Sequence, residues 1–269
     1  MVLKILGLPQ DNNSSFMTGP ALGPDKIKEA LFSDSSNMFS ECGLDLGNKE
    51  IWEDAGSLNL KNLKGQAAFS KIRVTVLDLL QKGDHLIGLG GDHSVSWPTI
   101  DAHAEIYPSL NILHVDAHPD LYDSLLDSKY SHASPFARLM ESGKIKRLVQ
   151  VGIRTLNKHQ RDQAERFGVE IHEMRDLSRV DKISFEGPVF CSVDLDALDP
   201  AFAPGVSHFE PGGMSTRYLL DLLRTFKGNL VGADVVELNP RRDFDGLTAM
   251  VGAKILKELI ARIFITNFS

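Results

Sequence analysis

The chain has 269 residues, of which 42% are hydrophobic and 24% charged, a composition that excludes both disorder and a fibrous repeat. Its net charge of −7 argues against nucleic acid as a partner, and no apolar run approaches the roughly 18 residues of a membrane span. Cys42 and Cys191 are too few for a disulfide framework and Met1–Leu8 lacks the organisation of a secretory signal, so the expected setting is reduced and cytoplasmic.

Short apolar or β-branched runs alternate with segments of helical periodicity, which predicts a central, mostly parallel sheet covered on both faces by helices, an α/β/α fold. In chain order the expected strands are Val2–Gly7, His85–Gly90, Leu110–Val115, Arg147–Ile153, Pro188–Val193 and Leu230–Glu237. The expected helices are Asp25–Phe32, Gln66–Lys82, Trp97–Ile106, Pro135–Glu141, Lys158–Phe167, Thr216–Thr225 and Thr248–Phe264. Pro24 before the first helix and Gly168 after Phe167 are suitable punctuation. Asp11–Gly19 and Ser33–Lys64 read as long loops, the second around a short strand near Ile51–Gly56. No linker or internal repeat interrupts the pattern, so residues 1–269 read as one domain.

Three of these strands run into metal-ligand residue types: His85–Gly90 into Asp92-His93, Leu110–Val115 into Asp116-Ala117-His118-Pro119-Asp120, and Pro188–Val193 into Asp194-Leu195-Asp196. Ligands of open α/β sheets bind at the carboxyl ends of strands. In extended chain, positions i, i+2 and i+4 share one side, so Asp116, His118 and Asp120 can converge, as can Asp194 and Asp196. With His93, two imidazoles and four carboxylates then meet, a set suited to two divalent ions sharing carboxylates. No Lys or Arg lies inside these clusters to neutralise four buried carboxylates, which makes a purely structural role costly. The run Gly88-Leu89-Gly90-Gly91 matches neither phosphate-binding glycine pattern and reads as a tight turn beneath the site.

Together, Gly-Gly-Asp-His-Ser at 90–94, Asp-Ala-His-Pro-Asp at 116–120 and Ser-Val-Asp-Leu-Asp-Ala-Leu-Asp-Pro at 192–200 resemble the signatures of the ureohydrolase family of arginases and agmatinases. The likeness extends to Gly23-Pro24, Ala203-Pro204-Gly205, Glu210-Pro211-Gly212-Gly213 and Asp234–Pro240, and so covers nearly the whole chain. Lys129–Ser134 and Gly205–His208 are most similar to the plant-type members. The resemblance implies a three-layer α/β/α catalytic domain with two manganese ions, hydrolysing a small guanidino substrate to urea and an amine. It assigns His93 and Asp120 to one ion, His118 and Asp196 to the other, and Asp116 and Asp194 to both. It also implies a trimer or hexamer.

A planar cationic substrate needs an anion on its far side, and Glu237, in the matching segment at the end of a strand, can accept paired N–H bonds. His132 matches the family's proton-shuttle position and is of the residue type that titrates near neutrality. His103, His159 and His172 read as surface histidines, His114 as a hydrogen-bonded core residue, and His208 as a candidate for the pocket wall. The amino-acid clamp of animal-type arginases is absent: its places hold Tyr122 and Asn157. The likeness to plant-type arginases makes arginine the first expectation for substrate, the missing clamp stands against it and leaves agmatine or another guanidino compound open, and Arg154 reads as a structural ion-pair residue more than as a carboxylate partner. A single-metal deacetylase would need fewer ligands, and a silent scaffold would be expected to have lost some.

Overall fold

The computed structural model of the protein describes residues 2–177 and 183–268. Its elements are β1 (Leu3–Leu8), α1 (Gly23–Leu31), β2 (Trp52–Ser57), α2 (Gly65–Gln81), β3 (His85–Gly90), α3 (Ser96–Ile106), β4 (Leu110–Val115), α4 (Pro135–Glu141), β5 (Ile145–Ile153), α5 (Lys158–Phe167), β6 (Glu170–Glu173), β7 (Ser184–Asp194), α6 (Thr216–Thr225), β8 (Lys227–Val236) and α7 (Leu247–Asn267). The strands form one parallel sheet in the order β2-β1-β3-β8-β7-β4-β5-β6.

Side-chain alternation along the strands builds the two sides of the core. On β4, Leu113 and Val115 face a cluster shared with Ile27 of α1, Leu219 of α6 and Ile255 of α7, whereas Leu110 and Ile112 face the opposite side, where Phe136 of α4 and Ile100 of α3 pack. α2 closes that second side through Ile72 and Val76. Each fully buried aliphatic side chain there contributes on the order of 2 kcal/mol, which is why continuous apolar strands settle at the centre of a doubly covered sheet.

Helix ends follow local chemistry. Asn157 caps α5 by accepting from Gln160 N, Gly168 ends it in the left-handed region at φ 64°, and Ser215 caps α6 through Tyr218 N. The expected helices agree with the observed ones to within three residues at each end. The strand β6 lies outside the expected set: Glu-Ile-His-Glu is short and polar and sits at the sheet edge, where burial leaves no apolar signature.

The decisive topological fact is that β3, β8, β7 and β4 are consecutive neighbours at the sheet centre. Four motifs far apart in sequence leave the carboxyl ends of four adjacent strands.

Candidate metal centre and active site

Beyond β3 the chain turns through Gly90 and Gly91. A Cβ on Gly91 would lie 2.0 Å from Gln10 O, and one on Gly90 would lie 2.6 Å from Val95 Cγ2, so these glycines permit close packing, as the turn reading expects. The turn delivers His93 into a short 3-10 segment capped by Asp92, whose buried carboxylate also accepts from Asn13 N at 3.0 Å. Burial, then the nearby Glu237 charge, raises Asp92 to about 6.

All six expected ligands meet beyond β3, β4 and β7. His93 Nδ1 lies 3.1 Å from Asp116 Oδ2, 3.2 Å from Asp120 Oδ2 and 3.1 Å from Asp194 Oδ2. His118 Nδ1 lies 3.0 Å from Asp196 Oδ2 and 3.5 Å from Asp116 Oδ1. Asp116 thus faces both imidazoles, one oxygen to each, the disposition of a shared ligand. Asp194 turns one oxygen toward His93 and accepts from Asp196 N with the other, at 2.7 Å. Asp120 is held at φ 51°, a left-handed conformation costing a non-glycine residue about 1–3 kcal/mol.

The cluster fits cations. His93 Nδ1 is buried and has no hydrogen-bond partner among the described residues, although three carboxylate oxygens surround it. Burial, followed by the charges of Asp196 and Asp116, pushes Asp194 well above the ordinary carboxylate range, and burial with the Asp116 charge lifts Asp196 to about 6. Despite their burial, His93 and His118 are drawn well upward by the same carboxylates. The set therefore carries more negative charge than its protein surroundings balance, a deficit divalent ions would remove. Carboxylate oxygens with two imidazoles suit divalent cations.

Glu237, one residue past β8, also takes positive φ (66°) and so turns its side chain back over the site. Its Oε1 accepts from His93 N at 3.0 Å and pairs with His132 Nδ1 at 3.0 Å. Burial opposes the Glu237 anion, but the His132 hydrogen bond and charge hold it below the ordinary range. On its other side, His132 Nε2 meets Ser15 Oγ at 2.9 Å and Ser15 N at 3.2 Å. Sequence reasoning did not find Ser15; it sits in a polar loop without periodicity, pinned by Asp92 through Asn13 and by His132 N donating to Asn13 O.

Burial opposes a charged His132, yet Glu237, then Asp120 and Asp92, raise it from 6.5 to about 9. Its pairing with Glu237 therefore stabilises the ion-free fold fully below pH 6.5, and that contribution fades as pH rises through about 9. Unfolding the chelator-treated protein should show the deficit of His132→Asn shrinking between about pH 6 and about pH 10. A deficit independent of pH would mean that the pair is not its source.

Four of the expected ligands, His118, Asp120, Asp194 and Asp196, line an open cleft of about 190 Å³ together with Glu237 and His132. His208 is on its wall, stacked against His132 at 5.5 Å, as the pocket reading expected. Tyr122 and Gln160 form its outer part, and Asn157 Nδ2 donates to Tyr122 OH at 2.6 Å, so the places of the animal-type clamp bond each other. Arg154 donates to the carbonyls of Gly152, Asp196, Ala197, Leu198 and Glu210, which makes it a brace for the loops below the site. His114 is buried and hydrogen-bonded. Two of the surface-histidine expectations fail: His172 is half-buried in β6 with Nε2 on Glu170 Oε1, and His103 is fully buried in α3, with Nδ1 on Thr99 O, where burial lowers it to about 4. Its polar neighbours in sequence concealed a helix face turned inward.

A doubly covered parallel sheet with a convergent His/Asp cluster at its carboxyl end is a scaffold for metal-assisted hydrolysis. Comparison with known proteins makes the assignment: residues 2–261 match the arginase family, and the chain belongs to it as a hydrolase. It is 45% identical to the mitochondrial arginase 1 of Arabidopsis thaliana over 96% of this chain and 80% of that one. The solved arginase of Medicago truncatula superposes with TM-score 0.94 at 42% identity, covering 97% and 87% of the two chains. The agmatinase of Bacillus anthracis is 34% identical over 95% and 90%. The expectation of a cytoplasmic protein is corrected by this comparison, because the similar plant enzymes are named as mitochondrial or chloroplastic, which points to an organelle. Two cysteines that are not paired with each other carry no address. Among the described residues no helix is long and apolar enough to cross a membrane.

Proposed function

We propose that the protein hydrolyses L-arginine to L-ornithine and urea, with two manganese ions per chain held by His93, Asp116, His118, Asp120, Asp194 and Asp196. The whole chain acts as one catalytic domain, assembled as a trimer or hexamer. The observation that carries the chemistry is the convergence of two imidazoles and four carboxylates beside the Glu237–His132 pair. A complete donor set also speaks against a silent scaffold and against a single-metal deacetylase.

The chemistry that such ions supply when bound is activation of water as a nucleophile at neutral pH. The chain's residues do the rest. Glu237 Oε2 forms no hydrogen bond among the described residues, so it is free to accept the N–H edge of the guanidinium and turn its carbon toward the ligand cluster. Collapse of the tetrahedral carbon breaks its bond to the alkyl nitrogen, which leaves as an amine and needs a proton. His132 supplies it from Nε2, since Nδ1 is engaged by Glu237; Ser15 N donates to Nε2 of the neutral ring, and in the charged ring Nε2–H is held by Ser15 Oγ until the amine takes the proton. The acidic surroundings favour the charged imidazole, and cations bound nearby act the other way, toward a group that exchanges protons near neutrality.

Arginine is favoured over agmatine by the higher identity to arginases, 45% against 34% for the agmatinase. Among the described residues the cleft has no Lys or Arg in its wall, which leaves agmatine as the second reading. Urea release should give a higher kcat/KM for arginine than for agmatine. An agmatine value tenfold above that of arginine, about 1.4 kcal/mol in transition-state binding, would reverse the order and leave the hydrolytic reading intact.

A further inference from the structure

One level beneath the ligands, adjacent strands place polar side chains in a continuous register row. Asp234 of β8 pairs with Ser192 of β7, Ser192 with His114 of β4, and His114 with Gln150 of β5. All four are wholly buried at the centre of an otherwise apolar sheet. Such groups cost stability relative to apolar residues unless they are fully paired, and a row of four invites a functional reason.

The hydrogen bonds run in two directions from the row's middle. Ser192 Oγ donates to Asp234 Oδ1 at 2.6 Å, which leaves its lone pair facing His93 Nε2 at 3.0 Å. His93 must then carry its proton on Nε2, and its Nδ1 lone pair is directed at the oxygens of Asp116, Asp120 and Asp194. In the other arm Gln150 Nε2 donates to Pro119 O at 2.6 Å and to His114 Nδ1 at 3.0 Å, so the His114 proton is on Nε2 and is given to Asp116 Oδ2 at 2.8 Å. Each arm ends on an atom that faces the cluster, and each fixes a tautomer that leaves that atom able to donate a lone pair to a cation.

We infer that Asp234, Ser192, His114 and Gln150 form a positioning row that sets the tautomer of His93 and the orientation of Asp116, and so determines how tightly divalent cations are held. Asp234 and Ser192 serve His93, whereas His114 and Gln150 serve Asp116. The inference rests on the reading that ions bind at these six residues. The row lies outside the six expected ligands, and its proposed effect passes through them, where loss of such a partner typically costs roughly 10- to 100-fold in metal affinity.

The test is Mn2+ binding to the chelator-stripped full chain, measured by competition with a chromophoric chelator, alongside thermal unfolding of the ion-free protein. Wild type should bind two ions per chain, and if it binds none the inference falls with the reading beneath it. Ser192→Ala and Gln150→Leu should each weaken binding roughly 10- to 100-fold. Combining Ser192→Ala with Asp234→Leu should weaken binding no further than Ser192→Ala alone, because both act through one arm, while the ion-free protein unfolds at least as high as wild type. Combining Ser192→Ala with Gln150→Leu should multiply the two losses. Folded variants that bind Mn2+ within about twofold of wild type would overturn the inference, since losing a partner that orients a ligand should cost far more than that. So would a Ser192→Ala/Asp234→Leu protein whose affinity recovers with its stability, which would make the row a packing feature alone.

Discussion

Asp116→Asn should reduce the manganese content of the protein below two ions per chain and lower urea release by roughly 100- to several-thousand-fold. Asp116 is the carboxylate that faces both histidines, with Oδ2 toward His93 and Oδ1 toward His118, so its charge is shared by both halves of the cluster. Asn keeps the shape and one acceptor but removes the anion. Breaking a buried charge pairing costs about 3–5 kcal/mol, and the rate factor follows from about 1.4 kcal/mol per tenfold. The variant also replaces an acceptor of the His114 proton, Asp116 Oδ2, with a group that is an amide nitrogen in one of its two orientations, adding an unsatisfied contact in a fully buried place. Removing metal with a chelator should abolish wild-type activity in the same assay. Elemental analysis giving a single ion per chain at full activity would end the two-ion reading.

The parts of this molecule that are legible in its sequence are those where burial writes a pattern. β4 is apolar at every position but Asn111 and His114 because both faces of a central parallel strand are covered, and its expected limits coincide with the observed ones. The convergence of the candidate ligands is legible for a related reason: carboxylates directly after apolar strands have no cheap structural explanation. What is not legible is what the topology adds. Nothing in the spacing of His93, Asp116, Asp194 and Glu237 says that β3, β4, β7 and β8 are neighbours; that order is a property of crossovers. Ser15 escapes because a polar loop offers no periodicity, although its place against His132 is fixed by Asn13 N donating to Asp92 and His132 N donating to Asn13 O. His103 is misplaced because an isolated histidine in a mixed helix looks alike whether it faces water or Phe190.

The conformations of Asp120 and Glu237 belong to the same account. Both residues are non-glycine at positive φ, and both put a carboxylate into the cleft. The strain is offset by Glu237 N donating to Gly91 O at 2.8 Å and by the His93 N–H and His132 bonds to its Oε1. The carboxylate that would receive the substrate is thus hydrogen-bonded to the turn that presents His93, so the guanidinium position and that of the expected ligand are set together. That coupling separates the role of His132 from the ions.

His132→Ala should therefore lower turnover by roughly 100-fold or more, the size expected of general acid–base catalysis, while leaving manganese content at two ions per chain. His132 reaches the expected ligands indirectly, through Glu237 and through the ring of His208, which packs on His118; its own side-chain contacts, Glu237 Oε1, Ser15 and His208, include no expected ligand. Deleting the ring removes the proton for the departing amine and one of two partners of Glu237 Oε1; the His93 N–H remains to hold that oxygen. The loss should fall on kcat more than on KM, because Glu237 Oε2 still accepts the guanidinium edge, and it should be partly recovered by added imidazole or another small general acid that fits the vacated space. Glu237→Gln should behave differently: with the anion that balances the substrate cation gone, KM rises as well as kcat falls. Near-normal turnover of His132→Ala at full metal occupancy would transfer the proton step to another group, of which His208, stacked on the same ring and lowered from its ordinary value by burial and then by the His132 charge, is the nearest in the cleft wall.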